Sequence, residues 1–267
     1  MADKDTAPQA GTMRLLVDRR DGDVVLVTLN RPEARNAVSF EMWEAFSTLL
    51  DGLERETPAR ALVITGAGGH FSYGGDMKIP PARGEGALSA AARLEWGQRI
   101  IARLRRLPMP VIAAVEGGAF GMGWSLALAC DLIIAAEGAS FGAPFVNFGL
   151  TPDGGAAWLL ARQIGRYRAA ELVMSARTLP AAEALGMGLV SRLCPTGTAL
   201  ETALAFAGTL GNGNRQAVEL TKRLLHNAEG SDLDASHALE LVYCAHLQSG
   251  DELRRARDAF INARKQG

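Results

Sequence analysis

Apolar residues recur along this chain with two different periods, and the switches between them divide it into elements. Val24 to Asn30 is a β-branched run closed by Arg31-Pro32, which predicts a strand ending in a turn. Ser39 follows as a helix cap. Phe40, Trp43, Phe46, Leu49 or Leu50, and Leu53 then recur every three or four residues, predicting an amphipathic helix to about Glu56. Ala61 to Thr65 reads as a short strand running into Gly66, Gly68 and Gly69. Ser89 to Leu107 reads as a helix stopped by Pro108 and Pro110. Val111 to Val115 predicts a buried strand, Gly117 to Gly123 a glycine-rich turn, Trp124 to Ala129 a helix, and Leu132 to Ala136 another strand. This alternation specifies the α/β class. After Phe148 the pattern turns helical: Gly155 to Ile164, Arg166 to Ser175, Pro180 to Leu185, Leu200 to Leu210, Arg215 to Glu229, Asp234 to Leu247 and Glu252 to Ala263. Only Leu189 to Leu193 reads as a strand there. The expected organisation is a disordered extension over residues 1–13, a β/α core over 14–195 and a helical region over 196–267.

Composition narrows what such a chain can do. Of 267 residues, 48% are hydrophobic and 21% charged, and the formal net charge is −1, so no basic face is expected for nucleic acid or an anionic membrane surface. Met1 to Met13 lacks the apolar run of a signal peptide. The most apolar stretch, Val111 to Ala136, is interrupted by Glu116, Asp131 and four glycines and reads as core, not as a membrane span. Cys130, Cys194 and Cys244 form no CxxC pair, and no two histidines share metal-ligand spacing with a carboxylate, so neither disulfides nor a metal is expected. A reducing, cytoplasmic setting fits.

The glycines change the picture more. Twelve of the 30 fall within 24 residues, in the windows 66–75, 117–123 and 149–155, so each window is a candidate site. In Phe71-Ser72-Tyr73-Gly74-Gly75-Asp76 the paired glycines let backbone N–H groups approach a ligand closely; a tight turn with a capping Asp76 is the alternative. Glu116 to Ser125 follows a buried strand and opens a helix, where unpaired N–H groups suit a developing negative charge; close helix–strand packing is the alternative. It is neither GxGxxG nor a Walker motif, so nucleotide phosphates are not indicated. In Thr151-Pro152-Asp153-Gly154-Gly155 a carboxylate stands in a glycine turn before a helix, as an N-cap or as a general base in a partly desolvated cleft.

Together the three segments resemble the crotonase superfamily, the enoyl-CoA hydratase/isomerase family, over about residues 14 to 265. Leu29-Asn30-Arg31-Pro32-Glu33-Ala34-Arg35-Asn36-Ala37, Val63-Ile64-Thr65-Gly66, Pro110 to Val115 and Ala184 to Val190 support it in order and spacing. The resemblance implies a spiral of ββα turns with a helical C-terminal trimerisation region, assembled as a homotrimer or a dimer of trimers. It also implies an acyl-CoA thioester as substrate, with coenzyme A entering only as part of it. By motif position, the N–H groups of Gly75 and Met122 would form an oxyanion hole for the thioester oxygen. Trp124, Ser125 and Phe145 would lie at the acyl group, with core packing the alternative for the two aromatics and a backbone bond for Ser125. Ser72 and Gly74 would run along coenzyme A, with Arg35 near its phosphates and Lys265 reaching coenzyme A in an adjacent subunit, or else both as solvated surface charges.

The chain departs from the family's hydratases at both catalytic carboxylates. The position of one Glu is Ser125. That of the other, after Phe141-Gly142-Ala143-Pro144, is Phe145. The turn holding Asp153 is instead similar to the ring-epoxide/enoyl-CoA isomerase branch, where one Asp shuttles a proton, and to the dehalogenase branch, where an Asp attacks. An isomerase with Asp153 as the acid/base is therefore expected. A hydratase or hydrolase in which Asp153 activates water, and a non-catalytic acyl-CoA binder, are the alternatives.

Overall fold

A computed structural model of the chain describes residues 14–55, 59–86, 89–210 and 214–265. The expected extension over residues 1–13 lies outside them. Strand β1 (Leu15–Arg20) pairs antiparallel with β2 (Val24–Leu29), and β3 (Ala61–Gly66), β4 (Val111–Val115), β6 (Leu132–Ala136) and β9 (Arg192–Cys194) extend the sheet in parallel, in the order β1-β2-β3-β4-β6-β9. A smaller sheet joins β5 (Gly118–Phe120), β7 (Ser140–Gly142) and β8 (Leu179–Pro180).

The two sheets are linked by a repeated turn of the chain. A strand in the large sheet is followed by a short pairing in the small one and then by a helix. Thus β4 and β5 lead to α3 (Met122–Leu128), and β6 and β7 lead to α4 (Ala156–Ile164). One turn earlier, β3 is followed by a parallel bridge from Ser72 to Ala119 and then by α2 (Ala92–Arg106). Because the pairings stack in parallel, the ends of successive turns gather at one place, and the three glycine windows lie there.

The central strands are buried on both faces, as parallel strands covered by helices must be. Val25, Val27, Leu29, Leu62, Ile64, Val111 and Ala113 face the main core with α1 (Phe40–Arg55). The alternate positions Val24, Leu26, Ala61, Val63, Ile112 and Ala114 face Ala199, Ala203 and Ala207 of α7 (Ala199–Thr209). Helix α7 therefore belongs to the core layer, although the pattern had grouped it with the helical region from residue 196. Small alanines on one stripe let it approach the sheet, and Glu116 fixes its start by accepting bonds from the N–H groups of Gly197 (3.0 Å) and Ala199 (2.9 Å).

Most predicted elements appear within a residue or two of their expected ends, and Ser39 does cap α1, its Oγ accepting the Met42 N–H at 3.4 Å. Strand β1 was not predicted. It is an edge strand that is exposed after Leu15, with Leu16 and Val17 followed by charged Asp18, Arg19 and Arg20, so it carries no hydrophobic alternation to read. The short strands β5, β7 and β8 also escaped prediction, since two or three residues carry no period. Beyond α4 come α5 (Arg166–Ser175) and α6 (Ala181–Gly186), and after α7 the chain continues through α8 (Arg215–Ala228), α9 (Leu233–Gln248) and α10 (Asp251–Lys265). Helix α8 is tied to the core through buried Lys222, whose Nζ meets Asp131 Oδ2 at 2.7 Å and the Met109 carbonyl at 3.0 Å. Among the described residues no helix is long and apolar enough to cross a membrane.

Candidate active site

The first glycine window is held by the segment before α1. Asn36 accepts the Arg31 N–H and donates through Nδ2 to the carbonyls of Ala67 and His70, both at 2.8 Å. Arg31 reaches further and pairs Nη2 with Asp76 Oδ2 at 2.8 Å, a buried ion pair. Burial opposes the charge on Asp76, but the bonds from Arg31 and the Lys78 N–H, with the charges of Arg31 and Arg93, outweigh it and hold the carboxyl below its ordinary range. The Gly74 carbonyl accepts from Val38, and the Asp76 N–H donates to Val38. Between them the Gly75 N–H donates to no turn or loop carbonyl among the described residues. The Met122 N–H, at the first position of α3, is one that a helix leaves without an internal acceptor.

Close backbone contact brings these two donors together. A Cβ at Gly123 would sit 2.3 Å from the Ser72 carbonyl oxygen, so only glycine lets the first turn of α3 lie against the backbone of Ser72. A Cβ at Gly74 would be 3.4 Å from the Met122 nitrogen. Gly75 and Met122 thus line one cavity of about 430 Å³, and Asp153 lines it too.

Asp153 does not cap α4. The residue preceding that helix is Gly155, no side chain caps it, and Asp153 Oδ1 is buried without a hydrogen-bond partner among the described residues. Its backbone is held instead, the carbonyl accepting from Ser125 Oγ at 2.9 Å and from the Ala156 N–H at 3.1 Å. Burial pushes the carboxyl up from 3.8 to about 6, and the positive charge of Arg93 pulls weakly the other way. The result is a carboxyl whose proton affinity is raised toward neutral pH, beside two backbone donors.

Several expected contacts fall elsewhere. Trp124 and Phe145 do not line this cavity: Trp124 is 1% exposed and packs on Phe141, and Phe145 is buried against Gly121. Motif position put Trp124 near the acyl group, but its ring turns inward onto Phe141. Ser125 is fully buried and donates to the Gly121 and Asp153 carbonyls, so it braces the Asp153 turn and does not face a substrate. Ser72 is fully buried, its N–H and carbonyl taken by Gly118 and Phe120 and its Oγ by Asn36 and Gly74. Gly74 is buried as well. These two residues shape the turn from beneath and offer coenzyme A no open polar group. Arg35 is exposed, with its guanidinium 5.0 Å from the centre of the Tyr73 ring. Lys265 ends α10, and its side chain lies outside the described residues.

The apolar walls come from Val38, Trp43, Ile79, Pro80, Leu94 and Leu150. Trp43 was read only as a core residue of α1, since one face of one helix serves both purposes. Arg93, also in the lining, was missed. It lies in a stretch without a motif, and no sequence signal marks it. Among the described residues no group of three or more His, Cys, Asp or Glu is placed to hold a metal ion.

Comparison with known proteins identifies the family of this chain. A family model described as enoyl-CoA hydratase/isomerase matches residues 19–267. A short-chain-enoyl-CoA hydratase of Clostridium acetobutylicum is 32% identical over 246 residues, covering 92% of this chain and 94% of that protein. An enoyl-CoA hydratase of Mycobacterium tuberculosis is 37% identical over 267 residues, covering 99% and 97%. The crystal structure of an enoyl-CoA hydratase from Polaromonas superposes with a TM-score of 0.88 at 34% identity, covering 93% of this chain and 97% of that one.

Proposed function

The chain belongs to the enoyl-CoA hydratase/isomerase family, whose members here act on acyl-CoA thioesters, and from that premise we propose that it isomerises an unsaturated acyl-CoA by moving one proton on Asp153. The thioester oxygen accepts from the N–H groups of Gly75 and Met122. Asp153 takes a proton from the carbon α or γ to the thioester, and the electron pair moves onto that oxygen as a dienolate. The acid then returns the proton to the other carbon, so the double bond shifts and nothing is added or lost. Backbone donors fixed in advance cost no reorganisation as charge develops, and each is worth about 3–4 kcal/mol in the transition state. A double bond conjugated into a ring oxygen, as in an oxepin thioester, suits the same chemistry.

The observation that carries this reading is the uncapped carboxyl of Asp153 in the cavity of the two donors, while the positions of the hydratase carboxylates hold a buried serine and a buried phenylalanine. The names of the relatives favour a second reading, water addition with Asp153 as the base. Incubation with 2-enoyl-, 3-enoyl- and saturated acyl-CoA in deuterated water separates them. Isomerisation predicts deuterium at Cα or Cγ without hydrated product, abolished in Asp153→Asn with thioester binding retained. Hydrated product supports the second reading, and thioester binding without exchange or hydration supports a binder and removes both. The reading extends to assembly as a homotrimer or a dimer of trimers, supported by the exposed Leu233, Leu241, Val242 and Phe260 of α9 and α10.

A further inference from the structure

One charged group in the acyl cavity is left unexplained by proton transfer. Arg93 is half-buried near the start of α2, and its Nη1 is clamped to the carbonyls of Asp76 at 2.8 Å and Ile79 at 2.9 Å. The clamp fixes the guanidinium plane. No carboxylate lies within 4 Å of it among the described residues: Asp76 is engaged by Arg31 and by the Lys78 N–H, and Asp153 stands farther off. The Nε and Nη2 atoms bond to no described protein group. Gly75 lies over the Nη2 side of the group, where a Cβ would be 3.3 Å from Nη2, 3.8 Å from Cζ and 4.0 Å from Nε, so the unbonded edge stands in the same cavity lining as the Gly75 donor.

A guanidinium withdrawn into a largely apolar cavity loses hydration, which is unfavourable unless an acceptor replaces it. Its Nε–Nη2 edge presents two parallel N–H groups at the spacing of a carboxylate's oxygens, the strongest and most directional use of arginine. We infer that Arg93 is a specificity residue that receives a second carboxylate on the acyl group, so that the substrate is an unsaturated dicarboxylic acid joined to coenzyme A through one end. The inference rests on the acyl-CoA reading of the cavity and does not depend on what Asp153 does. A clamped arginine also explains how a cavity carrying the negative Asp153 accepts another anion: the guanidinium lies in the same lining and offsets the repulsion.

Binding without turnover tests this. Calorimetric titration with saturated thioesters of equal carbon number compares butyryl- with succinyl-CoA, pentanoyl- with glutaryl-CoA and hexanoyl- with adipoyl-CoA. The wild-type protein should bind the carboxylated member of at least one pair about tenfold more tightly or better. Arg93→Gln should lose that preference while keeping its affinity for the uncharged partner. Arg93→Lys, which keeps the charge and a donor to the Asp76 and Ile79 carbonyls, should keep only part of the preference, and it guards against a misfolded glutamine variant. Lys78→Gln, which removes the other cation of the lining, and Asp153→Asn should both retain it. Equal binding within every pair, or a preference that survives Arg93→Gln or vanishes with Lys78→Gln, overturns the assignment. Absence of binding to every thioester would remove the acyl-CoA reading and this assignment with it, whereas equal binding within each pair removes only the carboxylate site.

Discussion

At the scale of single residues, a carboxyl group becomes a useful base when it is withdrawn from water but kept free of hydrogen-bond donors. Asp153 meets both conditions and Asp76 meets only the first, which is why two acids in one cavity have opposite shifts. A base must be deprotonated to act, so kcat/KM should fall as pH drops through about 6 and level off above it, and an initial-rate pH profile checks this. The same raised value has a thermodynamic side. A native carboxyl that holds its proton more tightly than the unfolded chain stabilises the protonated fold. Its contribution is present below the unfolded value of 3.8 and is lost as pH rises through about 6. The stability of Asp153→Asn relative to the wild type should therefore rise by on the order of 1–3 kcal/mol between pH 4 and pH 8, read from denaturant titrations of both proteins at the two pH values.

At the scale of elements, the site depends on how closely three turns approach one another. Gly154 is the tightest point of the third. Its φ is +58°, and a Cβ there would lie 2.7 Å from Ser125 Cβ, 2.8 Å from Met122 Sδ and 2.9 Å from Ile101 Cδ1. Gly154→Ala would strain the backbone and push the Asp153 turn off α3, where the Ser125 hydroxyl holds it. The expected cost is on the order of 2–4 kcal/mol, seen as a lower denaturation midpoint, together with a loss of exchange activity larger than the loss of thioester affinity.

At the scale of the whole molecule, the core and the C-terminal helices are finished to different degrees. The central strands of the large sheet are sealed on both faces, whereas α9 has no buried residue and Leu241 and Phe260 are 73% and 62% exposed. Apolar surface of this extent calls for a partner. Light scattering at micromolar concentration should return three or six times the 28.3 kDa chain mass. A monomer at that concentration would remove the assembly from the proposal.

Periodicity alone determined most of the architecture, because a buried strand or an amphipathic helix must repeat its apolar residues at the pitch of its backbone, and that pitch is legible without a partner. The three glycine turns were legible for the same kind of local reason. Four matters were decided only by tertiary structure. Whether Asp153 capped a helix or stood free depended on where Ser125 and Gly155 held its backbone. Whether Trp124 and Phe145 faced a cavity or the core depended on what packed against α3. Edge strand β1 formed because β2 was there to pair with it. Arg93 met Gly75 across 18 residues because the loop of Ile79 and Pro80 folded α2 back over the first turn. Each of these turns on distances between segments remote in sequence. Such distances are set by the packing of the whole chain, and the local pattern of residues carries no record of them.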